Sequence, residues 1–268
     1  LHLDVKIDPA TETVSGRSTL VLSPVVDQVT HIRLDASDLE IDKIYIQGNP
    51  DPAAYEYDGR NLLVELWEPL AMNETTTIVV QYSVERPALG LYFIKPDAAS
   101  PDRPVQVWSQ NQDDDARYWF PCIDDPAMKM TTSISAAVPL DYVAISNGVP
   151  RTDKPTERYW EPEFQYWHWQ QNKPHPVYLM SLLVGPFVEH VEPAQEGLPP
   201  VNWYHLPGQE EPARRAFHRT ADMIRFYQDF LGCPYPWDGY GQIAVSEFVF
   251  GGMENTGLST MTERVLPD

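Results

Sequence analysis

The sequence predicts a mainly β protein, an antiparallel β-sandwich or large saddle-shaped sheet system, followed by a shorter α+β segment. Three observations carry this expectation. Apolar and polar residues alternate through many short runs over most of the chain. Turn-forming residues, with 26 prolines among them, interrupt those runs at close intervals. After about residue 200 the apolar spacing becomes helical over one stretch and then returns to strand. That change places a boundary within residues 189–200, with a β domain at residues 1–190 and the opening of a second domain at residues 191–268.

Taken in order, Leu3, Val5 and Ile7 alternate with His2, Asp4, Lys6 and Asp8, and the following Pro9-Ala10-Thr11 turns the chain. Strand patterns continue over residues 14–22 and 39–46. Residues 55–57 and 62–66 flank Asp58-Gly59, a strong hairpin signal because the turn needs positive φ. Further strands are expected at residues 76–84, 133–138, 142–146, 159–160, 167–170 and 177–184. From residue 212 to 231, Ala213, Ala216, Phe217, Ala221, Ile224, Tyr227 and Leu231 follow one helix face. Pro212 suits the first turn of that helix and Gly232 its C-terminal stop. Residues 238–250 then read as strand.

Length and composition bound the function. The chain has 268 residues, 43% of them hydrophobic, enough for a substantial core. Its 39 acidic against 19 basic side chains give a formal charge of −20, which argues against a general nucleic-acid binder, since that needs a basic face. Acidity of this kind chiefly keeps a protein soluble. No apolar run approaches membrane-spanning length. Cys122 and Cys233 form no metal-type pair, so two buried free thiols and a reducing, cytoplasmic location are expected. The chain opens already alternating at Leu1, without an initiator Met or signal peptide, and is expected to be a piece of a longer protein.

Two segments hold candidate chemistry. In the first, Gly251 and Gly252 follow the apolar residues 248–250 and precede Met253, Glu254 and Asn255. Glycine beside a strand marks a place where another backbone approaches. A strand edge there can pair with an extended peptide, and Glu254 can meet a cation. In the second segment, Gln110 and Gln112 stand two apart on what reads as extended chain, which points both into one pocket. The acidic run Asp113-Asp114-Asp115 lacks the alternation and tight-turn glycine of a calcium loop and reads as a solvated loop.

Together the segments resemble the gluzincin aminopeptidase family, which includes aminopeptidase N and leukotriene hydrolase. Ser109-Gln110-Asn111-Gln112 is similar to the family's Thr-Gln-x-Glu or Thr-Gln-x-Gln run. Phe120-Pro121-Cys122-Ile123-Asp124-Asp125-Pro126-Ala127-Met128-Lys129 resembles the family's aromatic-Pro-Cys-x-Asp-x-Pro-x-x-Lys stretch. Gly252-Met253-Glu254-Asn255, with Gly251 before it, matches the exopeptidase motif Gly-x-Met-Glu-Asn. Gly90-Leu91-Tyr92-Phe93, Pro176-Val177-Tyr178-Leu179 and Gly232-Cys233-Pro234-Tyr235-Pro236 look like further landmarks, so the resemblance runs along nearly the whole chain.

The resemblance implies a saddle-like N-terminal β domain followed by the start of a thermolysin-like catalytic domain. It implies peptide substrates with a free N-terminus, Glu254 as the ammonium anchor, and Gly251 and Gly252 as backbone partners of the substrate strand. Gln110 would lie beside the first side-chain pocket. Gln112 stands where many members carry a second glutamate; a neutral amide there resembles the leukotriene hydrolase branch and leaves Glu254 as the main ammonium anchor. Ser109 replaces the usual Thr. Gly239 and Gly241 replace the Lys and Asp of many relatives, which implies a looser approach to the anchor strand.

Zinc is implied for the full-length enzyme, held by a His-Glu-x-x-His helix with its Glu as general base. None of the seven histidines here has that spacing, and His168 and His175 are seven apart with no carboxylate between them. No catalytic or metal-binding residue is therefore assigned in this chain, which is expected to recognise a peptide end without cutting it. A non-catalytic β-sandwich interaction module of the same fold is the alternative. A carbohydrate-active reading, prompted by 8 Trp, 14 Tyr and Asp124-Asp125, is weaker, because adjacent aspartates in an Asp-Asp-Pro turn cap backbone groups.

Overall fold

A computed structural model describes residues 1–151 and 162–267. Four sheets dominate it. In the largest, β1 (His2–Asp8) lies between β2 (Thr13–Leu22), antiparallel to it, and β10 (Lys129–Pro139), parallel to it. β7 (Thr76–Glu85) and β4 (Glu40–Ile46) extend the sheet beyond β2. β13 (Phe164–Pro176) and β12 (Val149–Pro150) extend it beyond β10. The alternation of β1 is realised as read: Leu3, Val5 and Ile7 are each 0% exposed. Burial of such side chains contributes about 1.5–3 kcal/mol apiece.

Two smaller sheets contribute to the same core. β3 (Val29–Asp35), β6 (Asn61–Leu70) and β5 (Tyr55–Tyr57) form one. Its β5–β6 hairpin turns at Asp58-Gly59 as expected. Gly59 has φ +87°, and the Asp58 carboxylate accepts from the N–H groups of Arg60 and Asn61 at 2.8 and 2.7 Å. The other small sheet has the order β11 (Val143–Ser146), β14 (Leu182–Gly185), β9 (Gln106–Gln110), β8 (Gly90–Ile94). Every residue of β9 and β14 is buried. The reason is that this sheet is a middle layer. One face carries Leu91, Val107, Leu182 and Val184 into the core of the large sheet. The other carries Trp108, Ile145 and Leu183 onto the fourth sheet.

The fourth sheet is mixed, in the order β15 (Val188–Val191), β16 (Val201–His205), β17 (Tyr240–Val245), β19 (Leu258–Thr262), β18 (Gly252–Met253). β16, β17 and β19 run parallel. Helices α1 (Glu210–Phe217) and α2 (Thr220–Leu231) connect β16 to β17. Ala213 and Phe217 of α1 bury against Trp203 and Ala244.

The architecture is the expected mainly β one, and several details differ from the reading. The single helix over residues 212–231 is two helices, separated at His218 and Arg219, where the Thr220 hydroxyl donates to the Phe217 carbonyl at 2.8 Å. Pro212 does lie in a first turn, and Gly232 stops α2 at φ +67°. Residues 177–184 are not one strand: Val177–Leu179 is a 3-10 turn ahead of β14. Residues 248–250 are outside any strand. Cys122 is buried, but Cys233, just past the α2 stop, is exposed. The strand expected at residues 159–160 lies outside the described residues. No helix among the described residues is long and apolar enough to cross a membrane.

Candidate functional site

The site begins with β9. Gln106, Trp108 and Gln110 share one face of this strand, the face turned to the fourth sheet. The first two side chains grip Ser246, in the turn after β17. The Gln106 amide donates to the Ser246 hydroxyl at 3.1 Å and accepts from its N–H at 3.2 Å, while the Trp108 indole donates to its carbonyl at 3.1 Å. Phe248 stacks edge-on to Trp108, with ring centroids 5.1 Å apart, and Met253 joins the same apolar cluster. The chain from Ser246 to Met253 is thereby drawn across the β9 face.

Gln110 is 1% exposed, and among the described residues neither its amide nitrogen nor its oxygen has a hydrogen-bond partner. An unpaired buried polar group costs about 1–3 kcal/mol, so this amide calls for a polar partner. Asn255, 3% exposed, donates to the Thr260 hydroxyl at 3.2 Å, and its oxygen too has no partner among the described residues. Asn255 directly follows Glu254, and Gln110 shares the β9 face to which Ser246 and Phe248 of the same segment are fixed. Glu254 itself is exposed, and its carboxylate has no hydrogen bond or ion pair among the described residues.

The glycines have separate parts. β18 is the edge strand of its sheet and pairs with β19 on one side alone. The Gly251 carbonyl accepts from the Thr262 N–H at 3.2 Å. By antiparallel alternation, the N–H and C=O of Gly252, opposite Met261, then face the open edge. A Cβ on Gly252 would lie 2.8 Å from the Met261 sulfur, whereas one on Gly251 would meet nothing within 4 Å.

Gln112 is not brought onto the Gln110 face. β9 ends at Gln110, and Gln112 is an exposed turn residue, so strand alternation does not govern it. Between them Asn111 has both ends of its amide engaged, donating to the Met180 carbonyl at 2.9 Å and accepting from the Trp119 indole at 2.9 Å. Nor is Gly241 loose: it lies within the sheet, and its Cβ would fall 2.8 Å from a Leu258 methyl. Ser109 accepts from the Leu182 N–H at 2.8 Å, a purely structural bond between β9 and β14.

The acidic stretch beyond is built around Arg117. The Asp124 carboxylate accepts from the Arg117 backbone N–H at 3.1 Å and from its Nε at 3.2 Å, and Asp114 pairs with Arg117 at 3.1 Å. Asp125 accepts from the Ala127 N–H at 2.8 Å. Both adjacent aspartates thus cap backbone groups, which removes the reason for a glycosidase reading. Among the described residues no three His, Cys, Asp or Glu side chains converge as a metal site would require.

The reading of the sequence overlooked Gln106, Trp108 and Ser246, and also Asn147, His175 and Thr256, which hold the far end of the same segment. The first two were accessible by carrying the alternation of Gln110 backwards along β9. The rest are long-range contacts with no local signature.

The family described as Peptidase M1 N-terminal domain matches residues 1–179, and Peptidase family M1 domain matches residues 215–267. Leukotriene A-4 hydrolase of Xenopus laevis is 25% identical over 273 residues, covering 99% of this chain and 43% of that protein. Aminopeptidase N of Oryctolagus cuniculus is 31% identical over 166 residues, covering 61% of this chain and 17% of that protein. Native yeast LTA4 hydrolase superposes with a TM-score of 0.80 at 21% identity, over 99% of this chain and 40% of that one, a likeness of fold. The chain therefore spans less than half the length of these relatives.

Proposed function

The chain belongs to the peptidase M1 family, and on that premise we propose that it carries the part of an aminopeptidase that recognises the free amino end of a peptide. The single observation that supports this most is the unpaired buried amide of Gln110, on the β9 face crossed by the segment bearing Glu254. A peptide laid along the open edge of β18 meets the outward N–H and C=O of Gly252, which fix its register. Its terminal ammonium reaches the free carboxylate of Glu254, and its first residue offers polar groups to Gln110. A charge-assisted contact contributes about 1.5–3 kcal/mol, so the ammonium is what separates a substrate from an internal peptide segment.

Zinc, the metal of the family's peptidases, polarises a scissile carbonyl and activates water when bound. No three His, Cys, Asp or Glu donors converge among the described residues. The chain's own part is to bind and orient.

The test compares trialanine with N-acetyl-trialanine by calorimetric or NMR titration of the 268-residue chain. The free-amine peptide is expected to bind at least tenfold more tightly, a difference of about 1.4 kcal/mol. Glu254→Gln keeps the shape and removes the charge, and should bring the two affinities together. Retention of the full preference by that variant would sink the anchor role.

A further inference from the structure

The segment bearing Glu254 is tied down at both ends by groups from earlier in the chain, outside the fourth sheet. Gln106 and Trp108 hold Ser246 at one end. At the other end is Thr256, just past Glu254, and all of its polar groups are held from outside the fourth sheet. Its N–H donates to the Leu179 carbonyl at 3.2 Å, its carbonyl accepts from Asn147 Nδ2 at 2.8 Å, and its hydroxyl meets His175 Nδ1 at 2.9 Å.

His175 is 1% exposed, and its second nitrogen, Nε2, meets the Thr132 hydroxyl at 2.8 Å. Thr132 and His175 belong to neighbouring strands of the large sheet, β10 and β13, at a register irregularity. One ring nitrogen therefore serves the sheet itself. The other reaches across to the fourth sheet and ends on the loop that carries the carboxylate. Deep burial of the imidazole favours its neutral form, which has one donor and one acceptor for the two hydroxyls.

We propose that His175 is a positioning residue for Glu254: by holding Thr256 it fixes where the carboxylate stands relative to Gln110. This rests on the reading of Glu254 as the ammonium anchor. The competing description is that His175 only knits β10 to β13. The two nitrogens separate these descriptions, because Thr256→Val removes the cross-sheet partner and Thr132→Val removes the intrasheet partner, each with little change of shape.

The readout is the ratio of affinities for trialanine and N-acetyl-trialanine, with the melting temperature recorded for each variant. Thr256→Val and His175→Leu should lower the ratio about threefold to tenfold. His175→Gln, which can still donate to one hydroxyl and accept from the other, should restore most of it. Thr132→Val should lower the melting temperature and leave the ratio alone. Equal loss of the ratio in Thr132→Val and Thr256→Val, or an unchanged ratio in His175→Leu, would overturn the proposal. Glu254→Gln is the reference. If that variant also keeps the ratio, the anchor reading is what has failed. Hydrogen exchange at the Thr256 amide, which needs no peptide, then decides whether His175 holds the segment: His175→Leu should speed it at least tenfold, and an unchanged rate would count against the inference.

Discussion

Gly90→Ala is expected to destabilise the chain by about 2–4 kcal/mol and to weaken peptide binding with it, whereas Gly59→Ala should cost only about 1 kcal/mol. Both glycines have positive φ, +80° and +87°, so each substitution incurs a similar conformational penalty of about 1 kcal/mol. The surroundings make the difference. A Cβ on Gly59 meets nothing within 4 Å. A Cβ on Gly90 would lie 2.1 Å from the Asp115 carbonyl oxygen and 2.8 Å from Trp119 Cδ1. Neither neighbour yields cheaply. The Asp115 N–H donates to the Asn111 carbonyl at 3.0 Å, and the 0%-exposed Trp119 donates to the Asn111 side chain at 2.9 Å. Overpacking against backbone costs about 1–3 kcal/mol beyond the φ term.

Gly90 is also the strand partner of Gln110, so the strain falls on the end of β9 next to the unpaired amide. Urea titration of the two variants gives the packing term by difference, and peptide titration under native conditions gives the functional one. Equal midpoints would show that the 111–119 turn moves aside freely and that Asp115 and Trp119 do not resist the added methyl.

The contrast between these glycines reflects what a sequence can and cannot reveal. Asp58-Gly59 was legible because a hairpin turn is local: the Asp58 carboxylate and the glycine conformation suffice to make it. β1 was legible because one face is core and the other is not, and Gly232 because a left-handed stop follows directly from the residue type. β9 was hidden for the opposite reason. Both its faces are buried, one against the large-sheet core and one against the fourth sheet, so polar Gln106 and Gln110 occupy positions where alternation predicts solvent. The break at His218 was hidden because the apolar spacing carries straight through it. Tyr227 and Leu231, assigned to the buried face by that spacing, are 57% and 63% exposed, since only the first turns of α2 pack down, through Ala221 and Ile224. Within the site, Glu254 and the glycines were visible as a motif, but their clamps on Ser246 and Thr256 come from strands remote in sequence. Gln112 was misplaced because counting by two presumes a strand that has already ended.

Two buried titratable groups lead to the final prediction. Burial, reinforced by the Leu1 ammonium, lowers the His175 imidazole to about 4, from a reference of 6.5. Burial raises the Asp124 carboxyl to about 6, from 3.8, against the opposing effect of its Arg117 hydrogen bonds. At a pH near 5 the folded chain holds one proton on Asp124 and none on His175, while the unfolded chain holds one on His175 and none on Asp124. The proton counts match, so this pair contributes no slope to stability between about pH 4 and 6. Removing either member exposes the other.

In His175→Gln the folded state binds the extra proton, and stability should fall by about 3 kcal/mol as pH rises from about 4 to 6. In Asp124→Asn the unfolded state binds it, and stability should rise by about 3 kcal/mol as pH goes from about 4 to 6.5. The remaining carboxylates titrate alike in all three proteins and drop out of the difference curves. Urea midpoints at closely spaced pH values, taken as variant minus wild type, should therefore slope in opposite directions. Parallel curves would mean that the two groups titrate at their ordinary values, and that the His175 held between Thr132 and Thr256 takes up a proton as an exposed histidine would.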